Sequence, residues 1–166
     1  MRFLASAELH AIDTAALEEL LGRSEMIVAA GADKVRALAA ATLLFADYAV
    51  LDATATLHLD TAETWAGAAW RIGRGALLLH IENQTSLTAA DAHIRGLCDE
   101  VIEGDSQLWL DRWMQGRSPI ALDSAAALIR HRGGDPLERA EFARLFAIGE
   151  PQQGLRTFLT RRSNFD

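Results

Sequence analysis

The sequence predicts an α/β fold, on three observations. The run Met26-Ile27-Val28-Ala29-Ala30 is closed by Gly31, and its length and β-branched content suit a short buried strand. The segment from Arg36 to Ala46 is rich in Ala and Leu, strong helix formers over a length no ordinary strand reaches. Two further short strands follow, in Asp47-Tyr48-Ala49-Val50 and Ala55-Thr56-Leu57-His58-Leu59. Strands therefore gather in the front third and helices fill the back half. With no linker in view, the expectation is a single domain over 1–166, its core at 1–102 and a helical region at 103–166.

The elements follow from local chemistry. Residues through Leu9 and His10 read as a short apolar lead-in to a loop. Asp13 offers an N-cap for a helix over Ala15 to Leu21 that Gly22 ends. Gly31-Ala32-Asp33-Lys34 reads as a polar loop before the central helix. Trp65, Ala68, Ala69 and Ile72 recur at helical spacing, Gly73 and Gly75 interrupt, and Ala76 to Ile81 resumes. Thr88 caps Ala89 to Ile94, with Gly96 as the stop, and Leu97 to Ile102 is apolar enough for a short strand or an extended connection. Helices follow over Ser106 to Gln115 and from Pro119 to Ile129, proline fitting a first helical turn. A further helix starts at Asp135-Pro136, where Leu137, Phe142, Leu145 and Phe146 mark an apolar face. The last starts at Pro151, with Leu155, Phe158 and Leu159 inward.

Composition narrows the function classes. A chain of 166 residues, half of them hydrophobic, can bury one sizeable core. A net charge of −7 argues against nucleic acid as a partner. The single cysteine, Cys98, rules out an intrachain disulfide and suits a reducing cytoplasm. Neither a signal peptide nor an apolar run of membrane-spanning length is evident, so no membrane partner is expected.

The chemistry centres on the loop-to-helix junction near Arg36. A helix start presents N–H groups without intrahelical acceptors at the positive end of the helix dipole, a setting suited to an oxyanion. His58 and Asp60 are two apart on a strand and share a face, so His58 as base with Asp60 as orienter is one reading; a solvated strand end is the commoner one. Glu8, His10 and Glu63 are further candidates. Asp33-Lys34 reads first as an exposed loop pair at a helix start, and Asp47 as a residue fixing a turn. His80, His93 and His131 lack metal-ligand spacing, so no metal is expected. Gly73-Arg74-Gly75 is too short for a phosphate loop. Trp65, Trp70, Trp109 and Trp113 read as core or interface residues.

Several stretches together resemble the crotonase (enoyl-CoA hydratase/isomerase) superfamily. Leu87-Thr88-Ala89-Ala90-Asp91-Ala92, continuing through Gly96-Leu97 to Asp99 and Val101, resembles the family's "L-S-A-E-E-A…G-L-V-D-x-V" segment. Ser118-Pro119-Ile120-Ala121-Leu122 resembles its "S-P-x-A-L" helix start. Phe142 to Phe146, then Gln153 to Arg162 and Phe165, resembles its C-terminal "F…E-G-x-x-A-F-L-E-K-R" run. The central stretch, Met26 to Asp60, resembles its "V-I-A-A-V-N-G…G-G-G…C-D-x-x-I" centre, and Leu4 to Leu9 its "F-C-A-G-A-D-L" loop.

The resemblance implies a crotonase-like spiral of ββα turns shortened at the front, with C-terminal helices for oligomerisation. It implies an acyl-CoA thioester as the bound partner, coenzyme A being part of the substrate and no separate cofactor being needed. It implies a trimer or hexamer of this chain, or a hetero-oligomer. The family's two oxyanion N–H groups fall at Ala7 and Leu38, with Glu8, His58 and Asp60 left as acid/base candidates. Arg161 and Arg162 then contact CoA phosphates, or are simply a solvated helix end.

The chain departs from the pattern where Ala37-Leu38-Ala39 replaces a glycine triplet. The two hydratase glutamates fall at Ala41 and Thr61, which cannot replace their proton transfer. Two expectations follow: a divergent lyase, isomerase or decarboxylase that stabilises an enolate without classical hydration, or a non-catalytic subunit or interaction module.

Overall fold

The structure, a computed structural model, describes residues 1–23, 25–80, 85–130, 135–154 and 156. Its elements in chain order begin with β1 (Arg2–Leu4), α1 (Ser6–His10), α2 (Thr14–Leu21), β2 (Ile27–Gly31), β3 (Lys34–Val35), α3 (Ala37–Phe45), β4 (Tyr48–Asp52) and β5 (Thr56–His58). They continue with α4 (Ala62–Ile72), α5 (Arg74–His80), β6 (Ser86–Thr88), α6 (Ala89–Ile94), β7 (Glu100–Ile102), α7 (Ser106–Met114), α8 (Pro119–Arg130) and α9 (Asp135–Ala147). The chain forms two compact units, one over 2–23 and 27–110, the other over residue 1, 24–26 and 111–166.

The larger unit holds both sheets. Four parallel strands run in the order β1-β2-β4-β7. A second sheet, β3-β5-β6, pairs β3 with β5 in parallel and β5 with β6 antiparallel. Every residue of β2 is buried, as expected of a central parallel strand covered on both faces. Gly31 ends it because a Cβ there would lie 2.7 Å from Val35 Cγ2.

Helix α3 is the core of this unit. Its residues Ala39 through Leu44 are all buried, the pattern of a helix enclosed on every side. It packs on α4, where Gly67 admits a close crossing: a Cβ there would meet Leu44 Cβ at 2.7 Å. Arg71, near the end of α4, holds the far end of α3. Its Nε donates to Leu44 O at 3.0 Å, and its Nη2 donates to Ala46 O at 3.0 Å and to Asp99 at 2.9 Å. A cation at a helix C-terminus is favoured by the dipole. Asp99 also accepts the Ala49 N–H at 2.7 Å, joining the clamp to β4.

Capping follows the sequence reading in several places. Asp13 accepts the Ala16 N–H at 2.8 Å, and Thr88 accepts the Asp91 N–H at 3.1 Å. Gly96 turns the chain at φ 77° after α6. Asp47 is structural as expected: its Oδ2 accepts the Ile27 N–H at 2.7 Å, tying the start of β4 to β2. Trp109 is buried, stacks on Tyr48 with centroids 6.1 Å apart, and donates to Glu100 at 3.0 Å.

In the smaller unit, α8 is anchored by Asp123, which accepts the Met26 N–H at 2.8 Å. Ser124 is buried and donates to Ile120 O at 3.1 Å.

Four expectations are corrected. The first ten residues, expected as an apolar lead-in to a loop, form β1 and α1 before the turn at 11–13. Arg2–Leu4 becomes a strand by pairing with Ile27–Ala29, a distant partner that local pattern does not reveal. The polar run ending at Lys34 includes the start of β3, paired with Thr56 and Leu57. Trp70, expected in the core or at an interface, is 57% exposed and so is not a core residue. The apolar face expected on α9 is partly open to solvent, with Phe142 62% and Phe146 45% exposed. Leu155, Phe158 and Leu159 lie outside the described residues.

Candidate functional site at the start of α3

The sequence around α3 sets an unusual helix start. Arg36 is extended, and Ala37, the first helical residue, has φ 49°. A left-handed residue there costs a side-chain-bearing amino acid about 1–2 kcal/mol relative to glycine. The resemblance implies a glycine at this position, where this chain carries a methyl group. Asp33, two residues after the end of β2, is also left-handed at φ 56°, a conformation that Asp tolerates better than most residues.

The other half of the candidate site is the first turn of α1. Ser6 Oγ accepts the Ala32 N–H at 3.1 Å, which ties that turn to the loop between β2 and β3. Helix α1 also lies against β2 and α3. Ala7 is exposed in this first turn, and Leu38 is half-buried in the first turn of α3. Helix geometry leaves the N–H groups of both turns without intrahelical acceptors.

The acid/base candidates are engaged elsewhere. Glu8 accepts the Ala5 N–H at 3.1 Å and closes the start of its own helix. His58 and Asp60 do not form a base–orienter pair. The His58 ring nitrogen lies 3.2 Å from Thr56 Oγ1. Asp60 accepts the Ala37 N–H at 3.4 Å through Oδ1 and pairs with Arg36 at 3.3 Å through Oδ2. Glu63, in the first turn of α4, is held below the usual carboxylate range by its own N–H and by Thr61. Ala41 is fully buried in the core, and the Thr61 hydroxyl caps α4 by accepting the Thr64 N–H at 3.3 Å. Arg161 and Arg162 lie outside the described residues.

Beside the loop leading to α3 is an open cleft of about 620 Å³, lined by His10, Asp33, Lys34, Thr54 and Thr56. It offers an ammonium, an imidazole, hydroxyls and one carboxylate, groups that bind polar or anionic ligand atoms. Of these, Thr54 already donates to Asp52 at 2.5 Å. Sequence reasoning named His10 but missed Thr54, and it missed Arg36 as the partner of Asp60. The only local signal for Arg36 was a cation just before a helix start. Among the described residues no group of His, Cys, Asp and Glu is placed to hold a metal ion, and no helix is long and apolar enough to cross a membrane.

Comparison with known proteins gives the fold. No family model matches the sequence, and no curated protein matches it. Solved structures do match. An enoyl-CoA hydratase from Bacillus anthracis superposes with a TM-score of 0.69 at 15% identity, covering 94% of this chain and 66% of that one. An enoyl-CoA hydratase/isomerase from Cupriavidus metallidurans matches with a TM-score of 0.69 at 19% identity, covering 89% and 62%. One from Marinobacter aquaeolei matches at 0.65 and 18% identity, also covering 89% and 62%. The chain thus spans about two thirds or less of the length of these structures. On this evidence the chain has the α/β fold of the enoyl-CoA hydratase/isomerase proteins, the crotonase fold.

Proposed function

We propose that the chain binds an acyl-CoA thioester, with the N–H groups of Ala7 and Leu38 directed at the thioester oxygen. The observation that carries the reading is the start of α3, where Ala37 keeps a left-handed turn at φ 49° in front of N–H groups at a helix's positive end. Backbone strain of this kind persists where the surroundings impose it. Solved proteins of the same fold described as enoyl-CoA hydratases support the ligand class. Coenzyme A enters as part of the substrate, and no separate cofactor is required.

The chemistry open to such a site is polarisation of the thioester and stabilisation of an enolate, as in a lyase, isomerase or decarboxylase. Classical hydration is not part of the proposal. A methyl at Ala41 and a capping hydroxyl at Thr61 supply no acid/base pair. Calorimetric titration with CoA and short acyl-CoAs, followed by a hydration assay, tests this. Binding without water addition is expected, and no heat at millimolar ligand overturns the reading.

A second reading, a non-catalytic subunit or interaction module, is favoured by α9. Phe142 and Phe146 are exposed with ring centroids 4.6 Å apart, and Ile148 is exposed just beyond. Adjacent exposed aromatics of this kind mark protein-contact surfaces. Here the chain assembles with itself, as a trimer or hexamer, or with another chain. Size-exclusion chromatography with light scattering decides: a stable monomer counts against assembly. Cys98, buried and in no disulfide, fits the cytoplasmic location proposed with both readings.

A further inference from the structure

We propose that the open cleft beside the β2–β3 loop binds a small zwitterion of the amino-acid class, its carboxylate on Lys34 and its ammonium on Asp33.

The cleft, about 620 Å³, has the size of a small-molecule site, and its lining is polar throughout: His10, Asp33, Lys34, Thr54 and Thr56. The backbone that carries these residues is fixed at several points. Ser6 Oγ accepts the Ala32 N–H at 3.1 Å, which ties α1, ending at His10, to the loop that holds Asp33. Lys34 and Thr56 are paired in the β3–β5 register, and the Thr56 N–H donates to Asp33 O at 2.7 Å. The Thr56 hydroxyl lies 3.2 Å from His58 Nε2. Thr54 donates its N–H and its hydroxyl to Asp52 Oδ1, at 2.9 and 2.5 Å.

These bonds leave two opposite charges uncommitted. Among the described residues neither the Asp33 carboxylate nor the Lys34 ammonium has a hydrogen-bond or ion-pair partner, and the two do not pair with each other. Exposed and consecutive in the chain, they make a dipolar site. An anion drawn to Lys34 is repelled by Asp33, and a cation drawn to Asp33 is repelled by Lys34. A zwitterion meets two attractions. Thr54, its proton given to Asp52, keeps an oxygen that accepts from an ammonium. That same hydroxyl holds the Asp52 carboxyl below the usual carboxylate range, so Asp52 remains an acceptor at neutral pH. The His10 imidazole supplies a donor for a carboxylate.

Amide chemical-shift titration of the full chain with glycine, γ-aminobutyrate and glycylglycine varies the distance between the ligand charges. Acetate and methylammonium are the singly charged controls, all at low ionic strength, where exposed charges are least screened. At least one zwitterion is expected to bind about tenfold more tightly than either control, shifting the Asp33, Lys34 and Thr56 amides. Asp33→Asn removes the charge and keeps a residue that tolerates the left-handed backbone. D33N should weaken the zwitterion and strengthen acetate; K34Q should weaken the zwitterion and strengthen methylammonium. Unchanged thermal melting shows that the variants are folded. Zwitterions that bind no more tightly than the controls, variants that move every ligand alike, or no shift with any ligand overturn the proposal. None of these outcomes bears on thioester binding, which is measured separately with CoA ligands.

Discussion

At position 37 a methyl group occupies a backbone conformation that glycine enters without strain. Replacing Ala37 by Gly should relieve about 1–2 kcal/mol of local strain and lose part of it to the freer unfolded chain. The expected net is a stabilisation of roughly 0.5–1 kcal/mol, read from the urea midpoint; a clear destabilisation would mean that the methyl packs usefully. The sequence showed the residue but not its strain, since Ala37-Leu38-Ala39 has the composition of ordinary helix. The candidate site was legible to the same partial degree. The helix start and Asp60 were both visible, but the ion pair between Asp60 and Arg36 depends on β3 lying beside β5, and a two-residue strand leaves no periodicity to read.

Among the elements, the crossing of α3 and α4 is where packing is least forgiving. A methyl at Gly67 would meet Leu44 Cβ at 2.7 Å, and both helices are pinned by Arg71 across Leu44, Ala46 and Asp99. Gly67→Ala should therefore lose about 1–3 kcal/mol despite alanine's better helix propensity, as overpacked cores do. Denaturant unfolding checks it, and a neutral or stabilising result would show that the helices can slide apart. Long elements with strong signals were readable: α3, α8 and the caps at Asp13 and Thr88 came directly from composition and spacing. The strands that escaped were β1, β3 and β6, each of three residues or fewer. Such strands exist because a distant partner supplies hydrogen bonds, not because of their own residues.

For the molecule as a whole, buried Cys98 sets an alkaline limit. Burial pushes its thiol from the ordinary value near 9.0 up to about 12. Between those values the unfolded chain has lost the proton and the folded chain keeps it, so the folded state binds one proton more. Stability is then unaffected below about pH 9 and falls as pH rises toward 12, by about 1.4 kcal/mol per pH unit at most. Urea midpoints measured on either side of pH 9 should show the decline, and Cys98→Ala should flatten it; equal slopes in both proteins would remove the thiol as the cause. The same group should resist alkylation until the protein unfolds.

Both sheets share one property of order. The strands lie side by side in the sequence in which the chain supplies them, β1 then β2, β4 and β7 in one, β3 then β5 and β6 in the other. No strand has to be inserted between two that came earlier. A chain emerging from the ribosome N-terminus first can thus lay each new strand against an edge that already exists. Synthesis and assembly run in the same direction, and the outermost strand at any moment is the one most recently made.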